Sequence, residues 1–203
     1  MFWDIMHKGG PVMWPLLLCS IIALGIVLER LWFWFNVSRD RDQALINTML
    51  DLAEEGEYDA AAEKARSTRD YVAKILLCGI VHREFSLADA LESAAAVAVR
   101  MMRRNTAILD TIITLAPLLG ILGTVTGIIY AFEFFGSSGI AEPAKVTLGV
   151  SQALITTAAG LIIAIGALIP YNYFLHRIDD EESRVVKYCT DLEIVYNRRK
   201  QGA

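Results

Sequence analysis

Two threonines, Thr124 and Thr157, each lie among small residues in an apolar segment. Both segments have the spacing i, i+4, i+7 and i+11, which is one face of an α-helix. In lipid, such a face lets another helix approach closely, and a threonine can hydrogen-bond across the contact. The pattern therefore predicts close helix packing beside two hydroxyl groups that can bind water, an ion or a carboxyl group. The two small-residue stripes are Gly120, Thr124, Gly127 and Ala131, and Ala153, Thr157, Gly160 and Ala164.

Neither stripe is accompanied by a charged side chain or a histidine. Residues 111–132 and 146–175 contain no Asp, Glu, Lys, Arg or His. A threonine cannot bind and release a proton near neutral pH, so an ion relay here needs a carboxylate from another chain. Asp110, at the inner end of the second segment, is either a cytoplasmic ion exit or an interface group. Glu29 and Arg30 are most simply an interfacial anchor or an intersubunit ion pair.

Gln152 adds a polar side chain on the face beside Thr157. It is a candidate pore-lining residue, and hydrogen bonding between helices is the plainer interpretation. The Cys and His residues are isolated, and no phosphate loop, nucleophile elbow or catalytic triad pattern occurs. The sequence therefore predicts no enzyme, metal site or cofactor.

Three apolar stretches are long enough to cross a bilayer, which takes about 20 residues. They run over residues 11–28, with an aromatic extension at 31–35, and over 111–135 and 146–175. The first stretch lacks a small-residue cleavage site, so a retained span is the better interpretation than a signal peptide. Lys and Arg concentrate between the first two spans and after the third. These regions should be cytoplasmic, which leaves the N-terminus and a turn at 136–145 outside.

The polar connection predicts helices over residues 40–55, 57–65 and 71–84. A Ser-x-x-Asp signal at Ser86 then starts one helix that is expected to run unbroken through the second span to about Phe135. The third span is expected to continue as an amphipathic tail. Such protruding helices need partners along their apolar faces, which favours an oligomer.

The predicted fold is thus an all-α membrane protein with three transmembrane helices, the second and third extended into a cytoplasmic helical domain. Its expected parts are a periplasmic N-terminus with the first transmembrane helix (1–35), a cytoplasmic helical domain (36–105), the second transmembrane helix (106–135), a periplasmic turn (136–145), the third transmembrane helix (146–176) and a cytoplasmic C-terminal helix (177–203).

These same segments resemble the MotA/TolQ/ExbB proton-channel family. The similar runs are Leu-Ala-Pro-Leu-Leu-Gly-Ile-Leu-Gly-Thr-Val-Thr-Gly at 115–127 and Gln-Ala-Leu-Ile-Thr-Thr-Ala-Ala-Gly-Leu at 152–161, followed by Ile-Pro-Tyr-Asn-Tyr-Phe at 169–174. Glu29-Arg30 after the first span is also typical of the group. Three spans with a modest cytoplasmic domain are similar to ExbB and TolQ rather than to four-span MotA.

The resemblance implies a homopentamer in a bacterial inner membrane, with two single-span ExbD-like or TolR-like subunits in its pore. In that family an aspartate of the partner carries the proton, and Thr124 and Thr157 match the threonines along its path. The proton motive force would then energise a TonB-like or TolA-like protein that spans the periplasm. ExbB and TolQ usually carry a glutamate where this chain has Gln152, so proton binding by this subunit itself is not expected at that position.

ExbB-like outer-membrane transport is the expected function. Three alternatives stay open: a TolQ-like role in envelope integrity and cell division, a passive membrane scaffold without ion coupling, and a stand-alone ion channel.

Overall fold

A computed structural model describes the backbone of Met6 and of residues 9–138 and 143–202, and the side chains of Met6 and of residues 9–132 and 147–201. Helices account for nearly all of these residues and no strand occurs among them, so the all-α prediction is confirmed. In chain order the helices are α1 (Met13–Arg39), α2 (Gln43–Glu55), α3 (Tyr58–Ala65), α4 (Tyr71–Val81), α5 (Arg83–Met102), α6 (Thr106–Ser138) and α7 (Pro143–Gly202).

Three helical stretches are long and apolar enough to cross a membrane: Met13–Arg39, Arg83–Phe132 and Thr147–Gln201. A helix suits this environment because it satisfies its backbone hydrogen bonds internally. Large apolar side chains stay exposed along all three, as with Ile21, Ile129 and Ile162. Pro117 lies within α6 and Pro170 within α7. The three predicted spans are therefore confirmed as helices, and the third continues far beyond its apolar part, as expected.

The helix that was predicted to run unbroken from Ser86 to about Phe135 is divided by a turn at residues 103–105. The side chain of Arg30, which is 2% exposed, donates to the carbonyl oxygens of Met101 and Met102 at 3.2 and 3.3 Å. These acceptors would otherwise bond the amides of a continuing helix. Asn105 then takes a left-handed conformation with φ of 64°, which asparagine tolerates better than most residues. The prediction of one unbroken helix was wrong because the residue that ends α5 is distant in sequence.

The helices of the polar connection agree with the predictions to within three residues at each end. Their ends are set by local side chains and by glycine. The Asp42 carboxylate accepts the Leu45 amide at 2.9 Å to start α2, and Gly56 ends α2 with φ of 85°. Within α5, the backbone of Ser86 is extended and separates a short first segment from the main helix. The Ser86 hydroxyl accepts the Asp89 amide at 3.2 Å, so the predicted start signal is confirmed.

The chain forms two compact units. The first comprises Met1–Glu29 and Asn105–Phe174, and the second comprises Arg30–Arg104 and Leu175–Ala203. The core of the second unit contains residues of α2, α4, α5 and the last part of α7, including Ile46, Met49, Leu76, Leu91 and Leu192. Burial of these side chains is what stabilises the second unit.

The predicted domain limits and the orientation of the termini stay predictions. The predicted turn at 136–145 includes residues 139–142, which lie outside the described residues. The same holds for residues 1–5, 7 and 8 of the predicted periplasmic N-terminus.

Candidate functional site

Helices α6 and α7 pack closely through small residues within the first compact unit. A Cβ atom added to Gly160 would lie 2.5 Å from the carbonyl oxygen of Ala116, and one added to Gly127 would lie 3.1 Å from the Cβ of Ala153. Residue numbers rise along α6 as the facing numbers fall along α7, so the two helices are antiparallel. The contact residues are Ala116, Gly120, Gly123, Gly127 and Ala131 on α6, and Gly149, Ala153, Thr156, Gly160 and Ala164 on α7.

Thr157 hydrogen-bonds across this contact. Its hydroxyl donates to the carbonyl oxygen of Gly120 at 3.1 Å and, within α7, to that of Ala153 at 3.2 Å. This bond is possible because Gly120 has no side chain: a Cβ there would lie 3.1 Å from the Cα of Thr157. Helix packing through small residues therefore brings a hydroxyl and a facing carbonyl together.

The centre of the contact includes two residues that the stripes did not contain, Gly123 and Thr156. Thr156 is fully buried and its hydroxyl donates to the carbonyl of Ala153 at 2.9 Å. A Cβ on Gly123 would collide with the Thr156 side chain. Gly123 could have been predicted from the sequence, because it follows Gly120 by three positions and one face of a helix includes residues i+3 as well as i+4.

Thr124 and Thr157 are half-buried at the edge of the contact rather than at its centre. Each residue of an α-helix is rotated by about 100° from the preceding one, so each threonine lies about 60° from the centre on its own helix. The two offsets have the same sense, because both threonines follow a contact residue (Gly120 or Ala153) by four positions. In antiparallel helices, equal offsets fall on the same side. We call this side of the α6–α7 pair the threonine flank.

Helix α1 packs on the opposite flank. Met13 and Leu16 form a buried cluster against which Leu119, Ile155 and Ile163 pack. By the same rotation, these three residues lie on the other side of the α6–α7 contact.

Beside the threonines, side chains stay open. Ile121, Ile128 and Leu161 are 54%, 46% and 48% exposed. Among the described residues of this unit, no helix covers the threonine flank.

Gln152 lies away from the threonine flank. It is half-buried, and its side chain is so close to Gly10 that a Cβ there would collide with the amide group. Gly10 itself has φ of 71°, a conformation in which glycine is least strained. The structure thus differs from the expectation that Gln152 shares a surface with Thr157. The reason is rotation: five positions separate the two residues, which places them about 140° apart around α7.

The remaining candidate residues lie in different surroundings. Asp110 is exposed near the start of α6 on the threonine flank. The Glu29 side chain is exposed, and its carboxylate lies 3.4 Å from the Asn105 side-chain amide.

Arg30 belongs to the second unit, where it caps α5 and lies over the Phe33 ring at 4.6 Å. Arg30 therefore has a structural contact within the chain that the sequence did not predict.

The chemistry of the threonine flank is that of hydroxyl oxygens in an apolar setting. The Thr124 hydroxyl donates to the carbonyl of Ile121 at 2.6 Å, and the Thr157 hydroxyl shares its single hydrogen between the carbonyls of Gly120 and Ala153. Each oxygen keeps lone pairs that can accept from water or from a protonated carboxyl group. Among the described residues, no group of three or more His, Cys, Asp or Glu side chains could hold a metal ion. The flank can orient a proton donor that arrives from elsewhere, but its side chains within residues 111–132 and 147–175 cannot carry a proton at neutral pH.

This fold and this surface define a multi-pass α-helical membrane protein with a polar strip inside its spanning region. The chain belongs to the MotA/TolQ/ExbB proton channel family, whose model matches residues 64–187. The matched region includes Asp110, Thr124 and Thr157. This family is one of proton channels rather than of enzymes.

Relatives cover most of the chain. It is 39% identical to a biopolymer transport protein described as ExbB-like 1 from Synechocystis sp., over 95% of this chain and 78% of the relative. It is 33% identical to the ExbB-like 3 protein of the same organism, over 94% of this chain and 92% of the relative. It is 32% identical to an ExbB homolog from Methanothermobacter thermautotrophicus, over 90% of this chain and 66% of the relative.

Proposed function

We propose that this chain is the ExbB-type subunit of an ion-driven motor in a bacterial inner membrane. In this proposal a homopentamer surrounds single-span ExbD-like or TolR-like subunits and uses the proton motive force to energise a TonB-like protein for outer-membrane transport. The N-terminus is periplasmic and the C-terminus cytoplasmic. Family membership and the ExbB-like relatives support this assignment.

The observation that carries the proposal is the uncovered threonine flank. It presents two hydroxyl groups, and residues 111–132 and 147–175 supply no charged side chain or histidine to work with them. A buried charge without a partner is costly in lipid, so a partner carboxylate would cross this region mainly in its protonated form. Thr124 and Thr157 would accept its proton in a hydrogen bond and so lower the cost of its passage.

Asp110 supports a direction for this path. It is separated from Thr124 by 14 positions, close to four helical turns, and so falls on the same flank about 21 Å away along the axis. In the proposed orientation it lies at the cytoplasmic end, where a carboxylate can receive a proton released from the pore. Gln152, on the opposite flank, is left out of the proposed path.

Replacing the hydroxyl groups tests the proposal. Thr124→Val and Thr157→Val keep the side-chain shape and remove the hydroxyl, while Thr→Ser at either position keeps it. We expect partner-dependent uptake across the outer membrane to fall about tenfold for each valine variant, as loss of one hydrogen bond worth roughly 1.4 kcal/mol would cause. The serine variants should retain most of the activity.

Thr126→Val is the matched control. Thr126 lies on α6, two positions from Thr124, and its hydroxyl donates to the carbonyl of Gly123 at 3.0 Å, but it points to the opposite flank. It should leave uptake unchanged. If both flank variants assemble normally and support uptake as well as the control does, the threonines do not belong to an ion path.

A passive scaffold is the second candidate function, since the Thr157 hydroxyl already bonds across the α6–α7 contact. It predicts that Thr157→Val lowers assembly and uptake together while Thr124→Val affects neither. A TolQ-like role would use the same surface, and is distinguished by whether deletion of the chain impairs envelope integrity and division rather than uptake.

A further inference from the structure

The inner end of α1 carries features of a membrane–water interface. Trp32 and Phe35 are 70% and 67% exposed. Aromatic side chains of this kind concentrate at the level of lipid head groups. Ser38 lies one turn beyond Phe35, and Arg177 of α7 donates to its hydroxyl at 3.0 Å. The Arg177 guanidinium also lies over the Trp34 ring at 5.4 Å, so it is held at this level of α1.

Arginines outnumber the carboxylates that they surround at this position. Arg41, Arg177 and Arg184 gather near two fully buried acids, Asp70 and Glu181. Glu181 is paired with Arg41 and, at 3.5 Å, with Arg184. Three guanidinium groups therefore lie near these two buried carboxylates.

The two carboxylates already have partners within the chain. Asp70 accepts the backbone amides of Asp42, Val72 and Ala73 at 2.8, 2.7 and 3.3 Å. Glu181 accepts the Tyr71 hydroxyl in addition to its arginine contacts. Neither acid is therefore available to Arg177, which forms no ion pair among the described residues.

The neighbouring arginines act on the charge of Arg41. Burial, and after it the charges of Arg184 and Arg177, lower the pKa of the Arg41 guanidinium below its usual value. Arg41 is still 38% exposed at its side chain. An anion placed between Arg41 and Arg177 would relieve this repulsion. Both side chains keep a terminal nitrogen that has no hydrogen-bond partner among the described residues. A guanidinium group can donate two parallel hydrogen bonds to the oxygens of one phosphate.

We propose that Ser38, Arg41 and Arg177 bind the phosphate of an anionic phospholipid at the inner membrane surface. The lipid source follows from the position at the end of an apolar helix, beside exposed aromatic side chains. Basic sites at this level of a membrane protein typically take anionic head groups. The inference goes beyond the ion-coupling function and does not depend on it.

The test measures binding of phosphatidylglycerol to the full-length protein in uncharged detergent, with phosphatidylcholine and inorganic phosphate as comparison ligands. Arg177→Gln is the main variant, because Arg41 also holds the buried Glu181. One arginine at a membrane surface contributes an effect of about fivefold, so we expect Arg177→Gln to weaken phosphatidylglycerol binding by about that factor. Arg177→Lys should keep most of the binding, and phosphatidylcholine binding should not change.

Lys74→Gln is the charge-matched control, because Lys74 is exposed on α4 of the same unit and forms no ion pair with the residues that the structure describes. It should bind phosphatidylglycerol like the unmodified chain. Equal affinity of Arg177→Gln and this control would overturn the proposal, as would equal binding of the two lipids. Displacement of phosphatidylglycerol by millimolar inorganic phosphate would show a site for the free ion and overturn the lipid assignment. A normal melting temperature for Arg177→Gln ensures that a loss of binding is not a loss of folding.

Discussion

Individual glycines set how closely α6 and α7 approach. Gly160 allows the carbonyl oxygen of Ala116 and the Cα of Gly120 to come within 2.5 and 3.2 Å of where a Cβ would be. Both neighbours are backbone atoms, so neither can move aside as a flexible side chain would. Closeness of this kind matters in lipid because helices there are held mainly by packing and hydrogen bonds.

Gly160→Ala should therefore separate the two helices. We expect a loss of about 1–3 kcal/mol in the free energy of unfolding, the usual cost of overpacking, measured by denaturation of the detergent-solubilised protein. Gly166→Ala is the control on the same helix, since no atom lies within 4 Å of its added Cβ. That variant should be neutral or gain up to about 1 kcal/mol from helix propensity. Equal stability of the two variants would show that the α6–α7 contact is loose.

The candidate site was predictable from sequence only in part, and Gln152 shows why. The small-residue stripes identified most positions that lie at the α6–α7 contact, because close packing in lipid requires small side chains. Residue type does not say on which side of a contact a neighbour falls. The side on which a neighbour falls depends on which helices are antiparallel and on where α1 packs. Neither can be predicted from the local sequence pattern.

Some helix ends are set by neighbouring residues and others by residues that are distant in sequence. The starts of α2 and of the helix after Ser86 are set by side chains within three positions, so the sequence predicts them well. The end of α5 depends on Arg30, whose hydrogen bonds reach Met102, 72 positions away. No propensity rule contains that contact, and the alanine-rich sequence of α5 argued for continuation.

Asn105 offers a test of this turn. In the left-handed conformation a residue with a Cβ is strained, by roughly 1–2 kcal/mol relative to glycine. We expect Asn105→Ala to lower the free energy of unfolding by about 1 kcal/mol and Asn105→Gly to be neutral or stabilising, in the same denaturation assay. An unbroken helix would give the reverse order, because alanine is then the best residue and glycine the worst of the three. The ranking of the two variants therefore distinguishes a turn from a helix.

For the molecule as a whole, the sequence was sufficient for the fold class and the family. Long apolar helices and the similarity of 115–127 and 152–161 to proton channels are properties of contiguous residues. Assembly is different, because stoichiometry and partners depend on surfaces that come from several chains. The pentamer, the single-span partner and the TonB-like protein are accordingly proposals here.

Reconstitution in vesicles tests whether proton flux requires a carboxylate from a partner chain. Vesicles that contain this chain alone should show no proton flux under an imposed gradient, because residues 111–132 and 147–175 carry no charged side chain or histidine. Addition of a single-span partner with one membrane aspartate should produce flux, measured with an entrapped pH-sensitive dye. The same partner with that Asp replaced by Asn is the control, and should restore the background rate. Flux through the chain alone would instead favour a stand-alone channel.

The common side of Thr124 and Thr157 has a consequence for how this pair of helices can change through evolution. The two hydroxyls face one way only because each helix keeps the same phase relative to the contact between them. Insertion or deletion of one residue between Gly120 and Thr124, or between Ala153 and Thr157, would turn that hydroxyl by about 100°. Away from the tightest backbone contacts, such as that of Gly160, substitutions that keep the residues small are tolerable in either helix, whereas changes of length are not. We infer that the composition of α6 and α7 can diverge as long as the spacing between contact residues and threonines is kept in both helices.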